Sequence, residues 1–460
     1  MRTAKPLIQI LALLTACSAA HGMFVMPTYA PVERLIKNAT AYIKENPKDP
    51  HGYYTLARIH YLAFANGAAL AATISEGTPP AIAPHWMTAG LAAHRLRSEH
   101  AMELTLQEFG FASSAAIPEE SRRQFNEARA QKLEQLEREG WLPEKLTDKE
   151  AAGHAASAID NFNKAIELRP KNGLYHLGLA SLLDQYVAFL AETAGDTVPR
   201  QFRTIILERA RESYYTAYSL SRRQDLAHRE RPIAGLGSLV AYEAGKAYIR
   251  LSQAGIPLSR QDKSRISGIQ TDLRKFEKLP FGAITPLIFT LEPHTSLSEL
   301  LAPARSVAFD LDGDGRIERW PWVRPTTAIL AWDPARTGSI TSGRQLFGSV
   351  SWWLFFEDGY HALDALDDNR DGVIAGPELL GIAVWLDRNS NAKSDPGEVV
   401  PVEQTQIQSL AARACGTDRR CPMNPAGLTL KNGRTLPTYD WIAYPLKPRL
   451  TPLSPRQCTD

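Results

Sequence analysis

The residues of this chain with the most chemistry to offer are oxygen donors spaced two apart. Over 366–379 the sequence reads L-D-D-N-R-D-G-V-I-A-G-P-E-L. Counting a twelve-residue loop from Asp367 puts Asp367, Asn369 and Asp371 at positions 1, 3 and 5, Gly372 at 6, Val373 at 7 and Glu378 at 12. Side-chain oxygens at alternate positions of a tight loop turn to one side. Glycine at 6 allows a bend through positive φ, and position 7 need supply only its carbonyl. Glu378 closes the shell with two oxygens. A hard cation that takes roughly 6–8 oxygens at ~2.4 Å needs this density of ligands, so the chemistry implied is calcium binding.

The pattern recurs. Asp387, Asn389, Asn391, the carbonyl of Lys393 and Glu398 fall at positions 1, 3, 5, 7 and 12 of a second loop, with Asp395 at 9. Ala392 replaces the glycine at 6 and Ser394 the apolar residue at 8, so this loop reads as weaker. Upstream, Asp310, Asp312 and Asp314, the carbonyl of Arg316 and Glu318 form a third set, but position 12 is Pro321. A fourth start, Asp333, keeps Gly338 and Ile340 but has no carboxylates at 3 and 5 and has Arg344 at 12; it reads as a former loop that no longer binds. Asp, Asn and Gly also build ordinary turns with solvated carboxylates, which is the plain alternative. Two loops with Glu at position 12, and a third set within ~60 residues, exceed what turns require.

The segments F-D-L-D-G-D-G-R-I-E-R-W-P-W-V, Q-L-F-G, G-Y-H-A-L-D-A-L-D-D-N-R-D-G-V-I and V-W-L-D-R-N-S-N-A-K-S-D-P-G-E together resemble a bacterial secreted EF-hand-type module, over about 306–408. The resemblance implies short strands alternating with calcium loops, and calcium bound outside the cytoplasm. The site at Asp333 does not carry over, because its carboxylates are missing. Asp367 and Asp387 are 20 residues apart, closer than in paired EF-hands, so one helix over 378–386 is expected to leave the first loop and enter the second.

The rest of the chain must position these loops. Its 460 residues, 44% of them apolar, allow two or three domains, and a formal charge of +2 gives no reason to expect nucleic acid. Arg2, Lys5 and the apolar stretch 6–15 form a targeting segment too short to span a bilayer. L-T-A-C ending at Cys17 resembles a lipoprotein cleavage site, which implies a lipid on Cys17; ordinary cleavage near Ala19 or Ala20, leaving a soluble exported protein, is the competing reading. Loss of 1–16 removes Arg2 and Lys5 and brings the formal charge to zero. Cys415 and Cys421 bracket G-T-D-R-R and suit a small disulfide in an oxidising compartment.

Residues 17–280 read as helical, with an insertion at 67–153. The text A-I-D-N-F-N-K-A-I-E-L-R-P-K-N from Ala158 resembles the second helix of a tetratricopeptide repeat, with Ala158, Phe162, Ala165 and Pro170 at the repeat spacing. Tyr53, Leu56, Ala57 and His60 suggest another match, and Ala210, Tyr214 and Ala217 a partial one. Stacked hairpins of this kind offer a concave face to a partner protein or peptide. Within the insertion a charged helix is expected over 119–139, and His85, His94 and His100 lack the spacing of a metal site.

From Pro280 the composition changes. A strand is expected over 286–291, a short helix over 296–301, a buried aromatic run over 352–356, and a hairpin turning at Asn432-Gly433. Residues 446–460 form a Pro-rich tail. Metalloprotease, esterase-elbow and Walker signatures are absent from the sequence. The expectation is a mainly α chain, a tetratricopeptide-like hairpin array followed at 281–445 by a small α+β EF-hand-like module. The function expected is an exported calcium-binding protein with a partner-binding helical region; a calcium-dependent envelope enzyme is the alternative.

Overall fold

The computed structural model describes residues 29–67, 70–72, 146–194, 197–226, 240–253, 258–276, 283–292, 296–313 and 317–446. The leader with Cys17, most of the insertion with its three histidines and charged helix, Asp314, Arg316 and the tail beyond 446 lie outside the described residues.

The N-terminal region is helical: α1 (Val32–Glu45), α2 (Pro50–Asn66), α3 (Asp148–Leu168), α4 (Gly173–Thr193), α5 (Arg200–Leu226), α6 (Val240–Gln253) and α7 (Arg260–Phe276). Two short strands, β1 (Tyr29–Pro31) and β2 (Leu70–Ala72), pair antiparallel beside it. Local signals start these helices. Asp49 accepts from the His51 amide ahead of Pro50, Thr147 and Glu150 form a reciprocal capping box, and Asn172 accepts from the Leu174 amide. Each helix packs on the next in sequence. The small and aromatic positions singled out above line the seams: Ala158, Phe162, Ala165, Ala210, Tyr214 and Ala217 are all fully buried. A Cβ on Gly178 would fall 2.5 Å from the Phe162 ring, so glycine is what lets α3 and α4 close. Among the described residues no helix is long and apolar enough to cross a membrane.

The C-terminal region corrects the expected fold. It is a mainly β domain, an antiparallel half-barrel, and not a small α+β EF-hand-like module. Its sheet runs β7 (Val373–Ala375), β10 (Ile407–Ala411), β12 (Cys421–Leu430), β13 (Thr435–Asp440), β3 (Leu287–Thr290), β6 (Thr327–Trp332), β8 (Ile382–Trp385), β9 (Val399–Pro401), with β11 (Gly416–Asp418) on the side of β12. A separate hairpin pairs β4 (Leu301–Phe309) with β5 (Glu318–Val323). One short helix, α8 (Gly359–Asp364), precedes the first complete loop.

The helix expected over 378–386 is not there. A single 3-10 turn, Gly376–Leu379, gives way at Gly381 (φ +89) to strand β8, whose four residues are all buried. β3 and β6 are buried along their whole length too. Such strands show no alternation of apolar and polar residues, so periodicity cannot tell them from a buried helical turn. Gly381 is required because a Cβ would lie 2.7 Å from the Trp332 ring.

The expected disulfide is not formed either: Cys415 is an exposed and Cys421 a buried free thiol. Cys421 sits opposite Asp418 in the β11–β12 ladder, and Cys415 lies three residues further along. That is a separation of ~10 Å at strand rise, beyond what a disulfide spans. The run 352–356 is core, as expected, and holds Trp352, Trp353 and Phe355 in left-handed backbone (φ 50, 63 and 59). Arg58 of α2 plugs into this segment. It is buried, donates to the Trp353 carbonyl at 2.6 Å, and holds its guanidinium 4.9 Å from the Phe355 ring.

Candidate metal centre

Four loops begin where a regular element ends. Asp310 follows β4 directly, Asp333 follows β6, Asp387 comes two residues after β8, and Asp367 three residues after α8. All four put position 4 in left-handed backbone: Gly313 (φ 72), Arg336 (53), Arg370 (66) and Ser390 (57). Position 6 does the same in the three loops where it is described: Gly338 (69), Gly372 (83) and Ala392 (56). These turns fold the chain around the aspartate at position 1.

That aspartate is the hub of each complete loop. Asp367 accepts from the Arg370 amide (2.6 Å) and the Gly372 amide (2.8 Å). Asp387 accepts from Asn391 (3.0 Å) and Ala392 (2.8 Å), and Asp333 from Thr337 (3.0 Å) and Gly338 (2.8 Å). The glutamate at position 12 closes the ring. Glu378 accepts from the amides of Asp368 (2.8 Å), Asn369 (3.2 Å) and Ala375 (3.1 Å); Glu398 accepts from Arg388 (2.8 Å) and Asp395 (3.2 Å). Asp367, Glu378, Asp387 and Glu398 are buried, whereas Asn369, Asp371, Asn389 and Asn391 are exposed. Each loop is therefore a cup with carboxylates at its base and oxygen donors at its open rim. Val373 opens β7 opposite Ala411, and the Lys393 carbonyl accepts from the Asp395 amide at 3.0 Å. The side-chain amides of Asn389 and Asn391 both point to Asp395, at 2.7 and 2.8 Å.

The electrostatics agree with this description. Burial pushes the Asp367 carboxyl up from its ordinary value, the Gly372 and Arg370 amides counter it, and the negative Asp364 and Glu378 add to the rise. Carboxylates crowded in this way gain from a cation among them. By donor type the first loop suits a hard divalent ion: three carboxylates, one amide oxygen and one carbonyl, all oxygen, with no thiol or imidazole in the set. Among the described residues, three carboxylates come within 4.8 Å of one another only at Asp310, Asp312 and Glu318.

The other two loops differ. Asp310, Asp312 and Glu318 hold one carboxylate oxygen each within 4.8 Å of one another, because the β4–β5 register sets Glu318 opposite Phe309. Arg344 donates to the Gly313 carbonyl and stacks 3.9 Å over the Trp353 ring, which fixes a positive charge beside this cluster. The Asp333 loop keeps the shared backbone without the donors.

Several functional contacts were not legible in the spacing. Trp322 donates its indole N–H to Asp387 at 2.6 Å. Ser394 accepts from the Ile340 amide at 2.8 Å, so position 8 of the second loop joins position 8 of the Asp333 loop through a hydroxyl. In the first loop, positions 2 and 4 face the helices. Arg34 of α1 donates to Asp368 (2.9 Å) and to the Leu366 carbonyl (2.7 Å), and Asn38 donates to Asp368 (2.8 Å) and the Ala365 carbonyl (3.0 Å). Arg370 pairs with Asp364 (2.9 Å) and reaches Glu45 of α1 (3.5 Å). An alternation of inward and outward positions was the available signal: what is not a ligand at 2 and 4 must face something else.

Comparison with known proteins places these loops in a named unit. Residues 296–430 match the family model described as an SPM domain, which covers less than half of the chain and includes all four loops. No curated protein matches the chain.

Proposed function

We propose that the chain is an exported calcium-binding protein in which calcium acts structurally, held by Asp367, Asn369, Asp371, the Val373 carbonyl and Glu378, and more weakly by Asp387, Asn389, Asn391, the Lys393 carbonyl and Glu398. The observation that carries this reading is the shared wiring of the two loops, with buried carboxylates at positions 1 and 12 held by loop amides below an open rim of oxygen donors. The Asp310, Asp312 and Glu318 cluster is a third and weaker place, since Arg344 beside it opposes a second cation. Bound calcium would neutralise carboxylates that otherwise repel one another, and sites of this extracellular kind work at roughly 10⁻⁴–10⁻³ M.

The helical region serves as a scaffold for a partner protein or peptide. Phe202 and Ile205, 50% and 55% exposed on α5, are apolar contacts it offers. A lipid on Cys17 would hold the protein to a membrane, and mass spectrometry of the mature N-terminus tests that part.

The calcium reading is tested by thermal unfolding with excess calcium and with chelator. At a hundredfold excess over Kd the folded state gains about 2.7 kcal/mol. The melting temperature should rise with calcium, less in Glu378→Gln than in the wild type. An unchanged melt in the wild type overturns the reading, and the loops are then turns.

A further inference from the structure

We propose that cation binding in the 367–378 loop and docking of α1 on that loop are one coupled equilibrium, so that calcium latches the helical region onto the β domain. This rests on the calcium reading above. The loop divides its residues between two jobs. Positions 1 and 12 are buried at the base of the cup and positions 3 and 5 stand exposed at its rim, while Asp368 at 2 and Arg370 at 4 turn outward to α1. The same backbone turns therefore aim both sets.

Arg34 does more than pair with Asp368. One guanidinium nitrogen reaches the Leu366 carbonyl (2.7 Å) and the Glu378 carbonyl (3.5 Å). These residues stand at the two ends of the loop, so α1 ties those ends together at the base of the cup, where Asp367 and Glu378 are buried. A loop already held in its bound shape binds its cation with less ordering cost. Linkage is reciprocal, so a bound cation must hold α1 in place by the same factor. The positive charge of Arg34 does not oppose the cation strongly, because Asp368, which is not a ligand, takes it up.

The seam is not fully packed. A small cleft of about 40 Å3 lies along it, lined among others by Leu35, Tyr42, His51, His361, Asp364 and Arg370. Within it the buried His51 Nε2, Asp364 Oδ1 and Arg370 Nε have no hydrogen-bond partner. Buried polar atoms without hydrogen bonds weigh against the docked state. A seam that both makes hydrogen bonds and leaves buried atoms without them is the kind of two-state element that a coupling energy can shift.

The test uses the full chain. Hydrogen exchange of α1 is followed with calcium and with chelator, in the wild type, Glu378→Gln and Glu398→Gln. Calcium should slow α1 exchange about tenfold in the wild type, within the usual range of coupling between linked sites, and equally in Glu398→Gln, but not in Glu378→Gln. Calorimetric titration of Arg34→Ala/Asn38→Ala should show calcium binding at this loop weakened by about the same factor. If the wild type takes up no calcium, the calcium reading falls. If calcium binds and its heat is lost in Glu378→Gln, yet α1 exchange is the same with calcium and chelator, the coupling is overturned and the calcium reading stands. Should the double variant misfold, exchange in the unaltered chain decides alone.

Discussion

The two complete loops, 367–378 and 387–398, are wired alike and placed differently. Both bury the carboxylates at positions 1 and 12 and expose the donors at 3 and 5. The first presents its outward positions to α1, through Asp368 and Arg370. The second sits within the β domain, against Trp322 and the Asp333 loop. The Asp333 loop adds a third term, since it takes the same turns at positions 4 and 6 with a carboxylate at position 1 only. The left-handed turns at positions 4 and 6 thus recur with one aspartate at position 1. In the first loop Glu378, Asn369 and Asp371 hold further loop amides, and the surroundings determine which part of the molecule feels the loop.

The strongest way to break this comparison is to replace the closing glutamates one at a time. Glu378→Gln sets an amide NH2 against the amides that now donate to the carboxylate, at a cost of about 2–3 kcal/mol. Glu398→Gln has a similar local cost. Chemical denaturation gives the totals, and hydrogen exchange shows where they fall. Only Glu378→Gln should lower protection in α1. Equal loss of α1 protection in both variants would mean that the loops act through a common core and not through their separate seams.

Acid provides a second, smaller wedge, applied from the helical side. His60 of α2 and His154 of α3 meet through their Nδ1 atoms at 2.9 Å. Burial, and then the neighbouring His154, lowers His60 to about 4; burial lowers His154 as well, against the pull of Glu150. A histidine depressed in the folded state gives stability that is present above its unfolded value near 6.5 and lost as pH falls toward 4. Between pH 7 and 5, protection in α2 and α3 should therefore fall, followed by the 367–378 loop through α1, ahead of 387–398. His60→Gln should flatten that pH dependence. A pH profile unchanged in His60→Gln would place the acid-sensitive group elsewhere.

How much of this was legible in the chain depends on whether a signal is local. The spacing of oxygen residues is local, and the carboxylates at positions 1 and 12 of both complete loops are buried and hold loop amides. Seam residues such as Ala158 and Phe162 are local too, and the helical region followed from their spacing. The β domain followed only in part. The strand expected over 286–291 is β3 and the hairpin expected at Asn432-Gly433 is β12–β13, but β6 and β8 are short runs buried along their whole length and carry no period. The interdomain contacts Arg34 to Asp368 and Arg58 to Trp353 span about three hundred residues of sequence, and no spacing rule reaches that far. Ser394 shows a third kind of failure. Read alone it is a polar residue in an apolar place, and only the facing Ile340 amide explains it.

The finest distinction between the loops lies at position 6, where one has Gly372 (φ 83) and the other Ala392 (φ 56). A side chain in left-handed backbone costs about 1–2 kcal/mol. Gly372→Ala meets no close atom, the nearest being Arg413 at 3.5 Å, so strain alone should act and stability should drop by about 1–2 kcal/mol. Ala392→Gly removes that strain but also frees the unfolded chain by ~0.5–1 kcal/mol and deletes a buried methyl worth ~0.8 kcal/mol, since Ala392 is buried. The two sides nearly cancel, and denaturation should show a change of less than about 1 kcal/mol. The alanine is then a neutral solution in a crowded loop and a poor one in an open loop. A gain well above that from Ala392→Gly would show that the second loop is strained in this fold, and that the likeness of its wiring to the first conceals a real difference in stability.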